Sequence, residues 1–246
     1  MPRYAHVLVD EVQDFSLEAL RLIRALSPID DNTANPLCTV GDGHQRIYRN
    51  KIPMSRAGID IRGRRSQRLK VNYRTSEQIR QYAQGILEGL DIDDLDGGTA
   101  VTVGDHSLFT GPTPSLQTYA DAQAEAEAIV AWVQDRLTDQ GLATHEICIT
   151  PYKAPIRTAL EAAGIPTFEL KPRELDPGEE EPGVRLGTMH RIKGLEFRAV
   201  VLACDDADDP MHRLQEAERR ERCTRYVAAT RAREYLLVTV SKPPAA

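Results

Sequence analysis

Apolar runs of two kinds alternate along the chain and predict a parallel α/β protein. Short continuous apolar runs are typical of buried strands, and apolar residues three and four positions apart are typical of helices that cover a sheet. The predicted strands are 6–9, 37–40, 116–119, 147–150, 184–188, 199–204 and 235–240. The predicted helices are one that begins near 16, one from about 76 to 90, and three at 121–137, 155–163 and 214–233. This alternation favours parallel sheets flanked by helices.

Composition narrows the class of protein. The 246 residues are 41% hydrophobic and 28% charged, which suits one large globular domain or two small ones. No apolar run approaches the ~20 residues of a membrane span, and acids directly after the first strand exclude a signal peptide. The four cysteines are far apart and form no Cys-x-x-Cys pair. We therefore expect reduced thiols and a cytoplasmic location rather than a disulfide framework or zinc ribbon.

Charge is distributed unevenly along the chain. The net charge of −6 excludes a protein that is basic all over, so a nucleic-acid site has to be local. Residues 43–74 hold ten Lys or Arg and a single acid, Asp60, which fits a groove that tracks phosphates. For 62–68 we favour the alternative of a solvated basic loop. The acidic, Gly-containing stretch 91–98 is typical of a linker or solvated loop.

Two strand ends carry candidate chemistry. Asp10 and Glu11 follow the first strand, and the carboxyl edge of a parallel sheet is where α/β proteins bind ligands. The first acid can hold Mg²⁺ through water, and the second can deprotonate an attacking water. A solvated strand end fits equally well. The second strand is followed by Gly41-Asp42 and by Gln45, which can sense a phosphate or belong to an ordinary Gly-rich turn.

Three later motifs complete a recognisable series. They are Asn-Tyr-Arg at 72–74, Thr-Met-His-Arg-Ile-Lys-Gly-Leu-Glu-Phe at 188–197, and Tyr-Val-Ala-Ala-Thr-Arg-Ala at 226–232. Each Arg taken singly fits a surface salt bridge. With the Asp-Glu-Val-Gln-Asp and Gly-Asp-Gly-His-Gln-Arg-Ile-Tyr boxes, however, the five motifs in this order resemble superfamily-one DNA helicases of the UvrD/Rep/PcrA type. The resemblance spans nearly the whole chain.

The resemblance implies RecA-like P-loop NTPase parallel sheets in two motor domains. A partial first motor domain is expected at 1–65 and a nearly complete second one at 66–246, with a short or absent accessory insertion at about 90–115. The implied cofactors are ATP and Mg²⁺, and the implied partner is single-stranded DNA. The implied activity is ATP-driven 3′–5′ translocation with strand separation, in which ATP closes the cleft between the motor domains.

The resemblance also assigns roles to single residues. Asp10 is the implied Mg²⁺ ligand and Glu11 the catalytic base, while Gln45 contacts the γ-phosphate. Tyr73 stacks on adenine, Glu196 meets the ribose, and Arg74 and Arg231 act as arginine fingers. The implied DNA track carries Tyr48, Arg49, Thr188 and His190.

The sequence departs from the family pattern in its phosphate loop. It contains no Gly-x-x-x-x-Gly-Lys-Ser/Thr, and no lysine is followed by Ser or Thr. We therefore expect the C-terminal part of a helicase motor without ATPase activity of its own. A missing N-terminal motor segment or another protein chain would complete it, and Val7–Val9 would form an exposed sheet edge. Asn50 and Lys51 stand where the family often has Trp, which predicts weaker base stacking.

Two other hypotheses stay open. One is a non-enzymatic remnant of a motor that binds nucleic acid or protein as a scaffold. The retained Asp10, Glu11, Arg74 and Arg231 argue mildly against it, because a scaffold has no chemical use for them. The other is an RNA-directed relative, which is less favoured because the Asp-Glu and Tyr-Val-Ala boxes resemble the DNA branch.

Overall fold

The computed structural model describes residues 4–29, 35–47, 52–92, 94–96, 98, 105–205 and 215–241. The chain forms two compact units. Unit 1 consists of Met1–Lys70 and Gly89–Asp105, and unit 2 consists of Val71–Glu88 and His106–Ala246. Among the described residues, no helix is long and apolar enough to cross a membrane.

Unit 1 is built on two short parallel strands and one helix. Strand β1 (Val7–Val9) pairs with β2 (Leu37–Thr39), and helix α1 (Leu17–Leu26) lies between them in sequence. The Oγ of Ser16 accepts a hydrogen bond from the Ala19 amide at 3.2 Å, so Ser16 is the predicted helix N-cap. The core of unit 1 contains Val9, Val12, Leu20, Met54, Ala57, Ile59 and Leu95.

The sheet of unit 1 has an open edge. In the part of the chain that the structure describes, β1 is paired with β2 alone. The side chain of Leu8 is 81% exposed, whereas Val9 lies in the core. These observations agree with the expected exposed edge at Val7–Val9.

The described residues of the acidic stretch 91–98 do not form the expected linker or solvated loop. Ile92, Leu95 and Asp96 are buried, and the Met54 amide donates to the Leu95 carbonyl at 3.1 Å. The acids are used locally: Asp94 Oδ1 accepts the amides of Asp96 (3.0 Å) and Gly98 (2.8 Å). Composition misled the sequence analysis here, because carboxylates that satisfy backbone N–H groups allow an acidic segment to pack. We call residues 89–98 the return segment.

Unit 2 contains a six-stranded parallel sheet, of which the alternating pattern predicts five strands and misses the short strand β7. A separate pair, β3 (Val71–Asn72) and β4 (His106–Ser107), precedes it. The large sheet consists of β5 (Ser115–Tyr119), β6 (Ile147–Thr150), β7 (Thr167–Glu169), β8 (Val184–Leu186), β9 (Phe197–Asp205) and β10 (Ala232–Ser241). Its strand order is β5-β10-β9-β6-β8-β7, and every pairing is parallel.

Helices cover both faces of this sheet. They are α2 (Glu77–Ile86), α3 (Ala122–Thr138), α4 (Ala154–Ala162) and α5 (Gln215–Ala229). Along β9, Val201 and its alternate neighbours join the core beneath α3 and α4, whereas Val200 and Leu202 join the core beneath α2 and α5. Burial on both faces explains why β9 is almost continuously apolar. The predicted α/β class with a parallel sheet flanked by helices is thus confirmed.

Two helix ends differ from the sequence prediction. Helix α2 ends at Ile86 instead of about 90, before Gly89 at φ 78°. Helix α5 ends at Ala229 instead of 233, and β10 already begins at Ala232. At that end Thr230 Oγ1 donates to the Val227 carbonyl at 3.0 Å. Helix α5 ends through a hydrogen bond made by a side chain. The periodicity of apolar residues contains no information about such bonds, so it did not predict this end.

Candidate functional site

In unit 1, Asp10 and Glu11 lie directly beyond the carboxyl end of β1. Glu11 adopts left-handed backbone angles, φ 51° and ψ 39°, and its amide donates to Asp10 Oδ1 at 2.7 Å. This conformation costs a non-glycine residue about 1–2 kcal/mol. Asp10 is exposed and Glu11 is half-buried. Strained residues concentrate at functional sites, which makes this turn a candidate site in its own right.

Gln13 ties this turn to the end of β2. The side chain of Gln13 is buried, with 3% of its surface exposed. Its Nε2 donates to the Glu11 carboxylate, and its Oε1 accepts from the Asp42 amide at 3.1 Å. The Val12 amide also donates to the Val40 carbonyl at 3.0 Å. The two strand ends are therefore held together by main-chain and side-chain bonds.

Asp42 organises the turn that carries Gln45. Its carboxylate accepts from the His44 amide (2.9 Å) and from Gln45 Nε2 (3.1 Å), and it bonds His44 Nδ1 at 2.7 Å. Burial alone would raise the pKa of the Asp42 carboxyl, but the hydrogen bonds and the attraction to His44 outweigh burial and lower it. An ionised Asp42 fixes the amide of Gln45 at the carboxyl end of β2.

In unit 2, the Asn72 side chain shapes the next motif. Asn72 Oδ1 accepts from the amides of Arg74 (2.8 Å) and Thr75 (3.2 Å), and this turn leaves Tyr73 71% exposed. Arg74 Nε donates to Glu196 Oε1 at 2.5 Å. The structure thus brings two of the predicted nucleotide-binding side chains, on Arg74 and Glu196, into contact, and Tyr73 precedes Arg74 with its side chain exposed.

The loop between β8 and β9 separates two sets of predicted residues. Thr188 and His190 follow the carboxyl end of β8 and are exposed. Glu196 precedes the amino end of β9. Because β8 and β9 run parallel in one sheet, these positions lie at opposite edges of unit 2. Thr188 Oγ1 accepts the Arg191 amide at 3.2 Å, which fixes the start of the loop.

The Arg231 side chain is buried, whereas a side chain that contacts a phosphate has to be accessible to the ligand. Only 1% of its surface is exposed, and its Nε donates to the Val227 carbonyl at 3.0 Å. Its Nη2 bonds Thr230 Oγ1 at 3.2 Å. Its main chain does adjoin the site, since the Phe197 amide donates to the Arg231 carbonyl at 2.9 Å. In this conformation a phosphate contact requires a change of the Arg231 rotamer.

A polar pocket of about 330 Å³ adjoins Glu196 in unit 2. Its lining includes Arg185, Glu196, Arg198 and Arg233. The buried Arg185 donates to the carbonyls of Gly183 (3.1 Å), Gly178 (3.0 Å) and Glu181 (2.8 Å), and so fixes the loop before β8. The lining of the pocket therefore carries both signs of charge.

Three arginines of the basic stretch of unit 1 are paired with acids. Arg62 bonds Asp96, Arg65 bonds Asp60 and Arg68 bonds Asp105. These pairs agree with the solvated-loop interpretation that we favoured for 62–68. Tyr48 and Arg49, predicted for the DNA track, lie outside the described residues, as do Asn50 and Lys51.

Unit 1 offers a Mg²⁺ ion few protein ligands. Among the described residues, no group of three or more His, Cys, Asp or Glu side chains could hold a metal ion. Mg²⁺ typically takes one or two carboxylates together with substrate phosphates and waters. Asp10 and Glu11 fit an ion that arrives with a nucleotide, and they do not form a cage for a free ion.

Two residues of the site escaped the sequence analysis. Gln13 and Asp42 stand inside the quoted motifs, but no role was assigned to them. Gln13 follows the buried Val12, and its own side-chain amide is buried. A buried amide needs hydrogen-bond partners, so its position indicates a side chain that bridges other groups. The identity of its partner, the Asp42 amide, depends on the pairing of β1 with β2.

Two family models match the chain. The UvrD/REP helicase N-terminal domain matches residues 1–52, and the UvrD-like helicase C-terminal domain matches residues 157–243. No curated protein matches the sequence. Among solved structures, the C-terminal domain of a possible DNA helicase from Lactobacillus plantarum WCFS1 is 20% identical with a TM-score of 0.48. That match covers 70% of this chain and 91% of the other.

Proposed function

Since the chain belongs to the UvrD-like helicase family, we propose that it is the C-terminal motor region of an ATP-dependent DNA helicase. It translocates 3′–5′ along single-stranded DNA when its phosphate loop is supplied. The first motor domain takes 1–65 and the second 66–246, except that residues 66–70 and 89–105 pack with unit 1. The short insertion at about 90–115 includes most of the return segment, in place of an accessory subdomain. The protein acts in the cytoplasm.

The arrangement of Tyr73, Arg74 and Glu196 is the observation that carries this proposal. The Arg74 guanidinium and the Glu196 carboxylate meet and offer a phosphate contact and a ribose hydroxyl contact, and the exposed ring of Tyr73, the residue before Arg74, offers stacking. The Asn72 side chain fixes the main chain of this turn through the amides of Arg74 and Thr75 before a ligand arrives. Unit 2 therefore presents a nucleotide half-site formed by residues distant in sequence.

Unit 1 carries the residues with the predicted hydrolytic roles. Asp10 would hold Mg²⁺ together with the nucleotide phosphates, and Glu11 would take a proton from the attacking water. The bound ion supplies neutralisation of the charge that develops on the phosphates. Gln45, held by Asp42 Oδ2 at 3.1 Å, contacts the γ-phosphate. Arg231 joins Arg74 as a second arginine finger after its rotamer changes.

The first experiment measures ATP hydrolysis by the purified chain with and without single-stranded DNA. We expect none above background, because the 246 residues contain no Gly-Lys-Ser/Thr loop to hold the phosphates. DNA-stimulated hydrolysis that Glu11→Gln abolishes would contradict the proposed inactivity. Binding of a fluorescent ADP analogue that competes with ATP tests the half-site independently, and no binding at millimolar ligand would argue against the half-site.

A second experiment tests the DNA track. We expect the chain to bind a fluorescent single-stranded oligonucleotide with an affinity that falls as salt rises. Removing the exposed side chain with His190→Ala should weaken this binding. Arg65→Ala serves as the control and should change it little, because Arg65 is already paired with Asp60. Equal effects of the two variants would count against a track at His190.

The alternative function is a non-enzymatic scaffold that binds nucleic acid or protein. The burial of Arg231 and the pairing of Arg62, Arg65 and Arg68 with acids favour it, since these cations are engaged inside the chain. Single-stranded DNA binding that stays indifferent to ATP after a phosphate-loop segment is fused to the chain would support the scaffold. ATP-dependent weakening or strengthening of DNA binding by that fusion would support the motor.

A further inference from the structure

Gln13 makes one hydrogen bond to each half of the candidate site in unit 1. We propose that Gln13 is a positioning residue that couples the carboxylate of Glu11 to the amide of Gln45 through Asp42. The roles of Glu11 as base and Gln45 as phosphate sensor rest on the proposed function. The coupling itself is a property of the folded chain and can be measured without nucleotide.

The coupling follows a continuous series of hydrogen bonds. Gln13 Nε2 donates to Glu11, and Gln13 Oε1 accepts from the Asp42 amide at 3.1 Å. The Asp42 carboxylate then accepts from Gln45 Nε2 at 3.1 Å. Each link is a side chain bonded to the next residue of the series, so a displacement at either end changes the bond beside it.

The orientation of the Gln13 amide is determined by its two partners. A carboxylate can only accept and a backbone N–H can only donate. Nε2 must therefore face Glu11 and Oε1 must face Asp42, since the opposite orientation would place two acceptors and two donors against each other. Burial of Gln13 at 3% exposure makes such a mismatch costly.

Packing around Gly41 keeps this series in register. A Cβ on Gly41 would lie 2.6 Å from Val12 Cγ1 and 2.7 Å from Gln13 Oε1. It would also lie 3.3 Å from Leu95 Cδ1 in the return segment. Glycine at position 41 is thus required by the close approach of the Gln13 amide. The return segment closes the same space from another side.

The functional consequence is communication between hydrolysis and phosphate sensing within one unit. When the charge or position of the Glu11 carboxylate changes, its charge-assisted bond to Gln13 changes in strength. The Asp42 amide and the Gln45 side chain follow, because Gln13 is anchored to both neighbours. In the opposite direction, a displacement of Gln45 changes the position of Glu11 through Asp42 and Gln13.

The test is a double-mutant cycle read by NMR on the full chain. The side-chain amide resonances of Gln45 are compared between the wild type and Glu11→Gln, and then in a Gln13→Met background. We expect Glu11→Gln to shift the Gln45 resonances in the wild type and to leave them unchanged with Met at 13. Hydrogen exchange of the Asp42 amide should accelerate roughly five- to tenfold in Gln13→Met.

Gln13→Leu is a second variant that removes both bonds of the residue. Leucine has no acceptor for the Asp42 amide and no donor for Glu11, so exchange of the Asp42 amide should accelerate and the response of Gln45 to Glu11→Gln should disappear. This variant also serves if Gln13→Met does not fold. The matched control is Gln78→Met, which removes a comparable bond to the Gly111 amide (2.8 Å) in unit 2. It should leave the Gln45 response intact.

Two results would overturn the coupling. One is a Gln45 response to Glu11→Gln that survives in both Gln13 variants, and the other is the absence of any response in the wild type. Either result leaves the nucleotide half-site of unit 2 untouched, because that site is tested by binding of the ADP analogue. Failure of the coupling and failure of the proposed function are therefore distinguishable.

Discussion

Arg74 donates to Glu196 at 2.5 Å across 122 positions of sequence. The two side chains are 38% and 39% exposed. Solvent at that level weakens an ion pair, and exposed pairs typically contribute about 0–1 kcal/mol to stability. The fold gains little from this contact, which holds the residue after Tyr73 against Glu196.

Arg74→Gln should therefore separate binding from stability. We expect the affinity for the fluorescent ADP analogue to fall roughly tenfold or more, since a lost charged hydrogen bond costs about 1.5–3 kcal/mol. The free energy of unfolding should change by less than about 1 kcal/mol. Arg157→Gln is the control, because its pair with Glu161 has comparable exposure, 40% and 50%. The same loss of affinity in both variants would contradict a specific role for Arg74.

Asp96 should anchor the return segment in unit 1. Its buried carboxylate accepts from the Ser55 amide at 3.1 Å and from Arg62 Nε at 2.6 Å. Asp96→Ala leaves the Ser55 N–H without its acceptor, so we expect a loss of about 1–3 kcal/mol in urea unfolding. Asp60→Ala removes an exposed acid paired with Arg65 and should cost less than about 1 kcal/mol. Equal costs would show that the segment is not anchored by Asp96.

The charged pair beneath α3 predicts a large effect in unit 2. Lys153 Nζ donates to the fully buried Glu125 at 3.0 Å, and Glu125 also accepts from Thr239 Oγ1 at 2.6 Å. Lys153→Met leaves the Glu125 charge buried without its cation and should destabilise the unit by about 3–5 kcal/mol. The double variant with Glu125→Leu should recover most of this loss. A double variant no more stable than Lys153→Met would refute the pair as the cause.

Glu77 should make the stability of unit 2 depend on acid pH. The hydrogen bond from Arg80, aided by the Ser107 amide at 2.8 Å, lowers the pKa of Glu77 from 4.5 to about 2. Because the pKa of Glu77 is lower in the folded state than in the unfolded state, its ionised carboxylate stabilises the fold at pH values above the unfolded pKa. This contribution is lost as pH falls from about 4.5 to 2.

Glu77→Gln should therefore lower the free energy of unfolding at pH 7 by roughly 1–2 kcal/mol, a figure reduced because Glu77 is partly exposed. The variant should also lose less stability than the wild type as pH falls below 4.5. Unfolding in urea at several pH values measures both effects. Glu127→Gln alters an exposed glutamate of α3 and should keep the wild-type profile. If Glu77→Gln keeps the wild-type dependence of stability on pH, another carboxyl causes the loss of stability at acid pH.

Several elements were predictable because their determinants are local. Ser16 and Ser76 accept amide hydrogen bonds three residues ahead, and both helices begin where the sequence predicts. Gly164, at φ 74°, follows the end of α4. The apolar run of β9 is long because both faces of that strand are covered. In each case the sequence within one or two helical turns contains the physical cause.

Other features depended on partners far away in sequence. The acidic segment around Asp96 packs into unit 1 only because Met54 and Ser55 meet it there. The Arg231 side chain is buried by the end of α5, although its motif suggests an exposed cation. Composition and motifs show which groups are present. They do not show whether a charged side chain pairs with another residue of the chain or is solvated.

The sequence by itself determined the family, the parallel α/β class and the identities of the candidate chemical groups, because these follow from residue type, order and periodicity. Only the tertiary structure decided which groups meet. The bridge from Glu11 through Gln13 to Asp42 exists because β1 pairs with β2, and Arg74 reaches Glu196 because the two lie within one folded unit. Hydrogen bonds need distances near 3 Å and a defined direction. A linear pattern contains neither quantity.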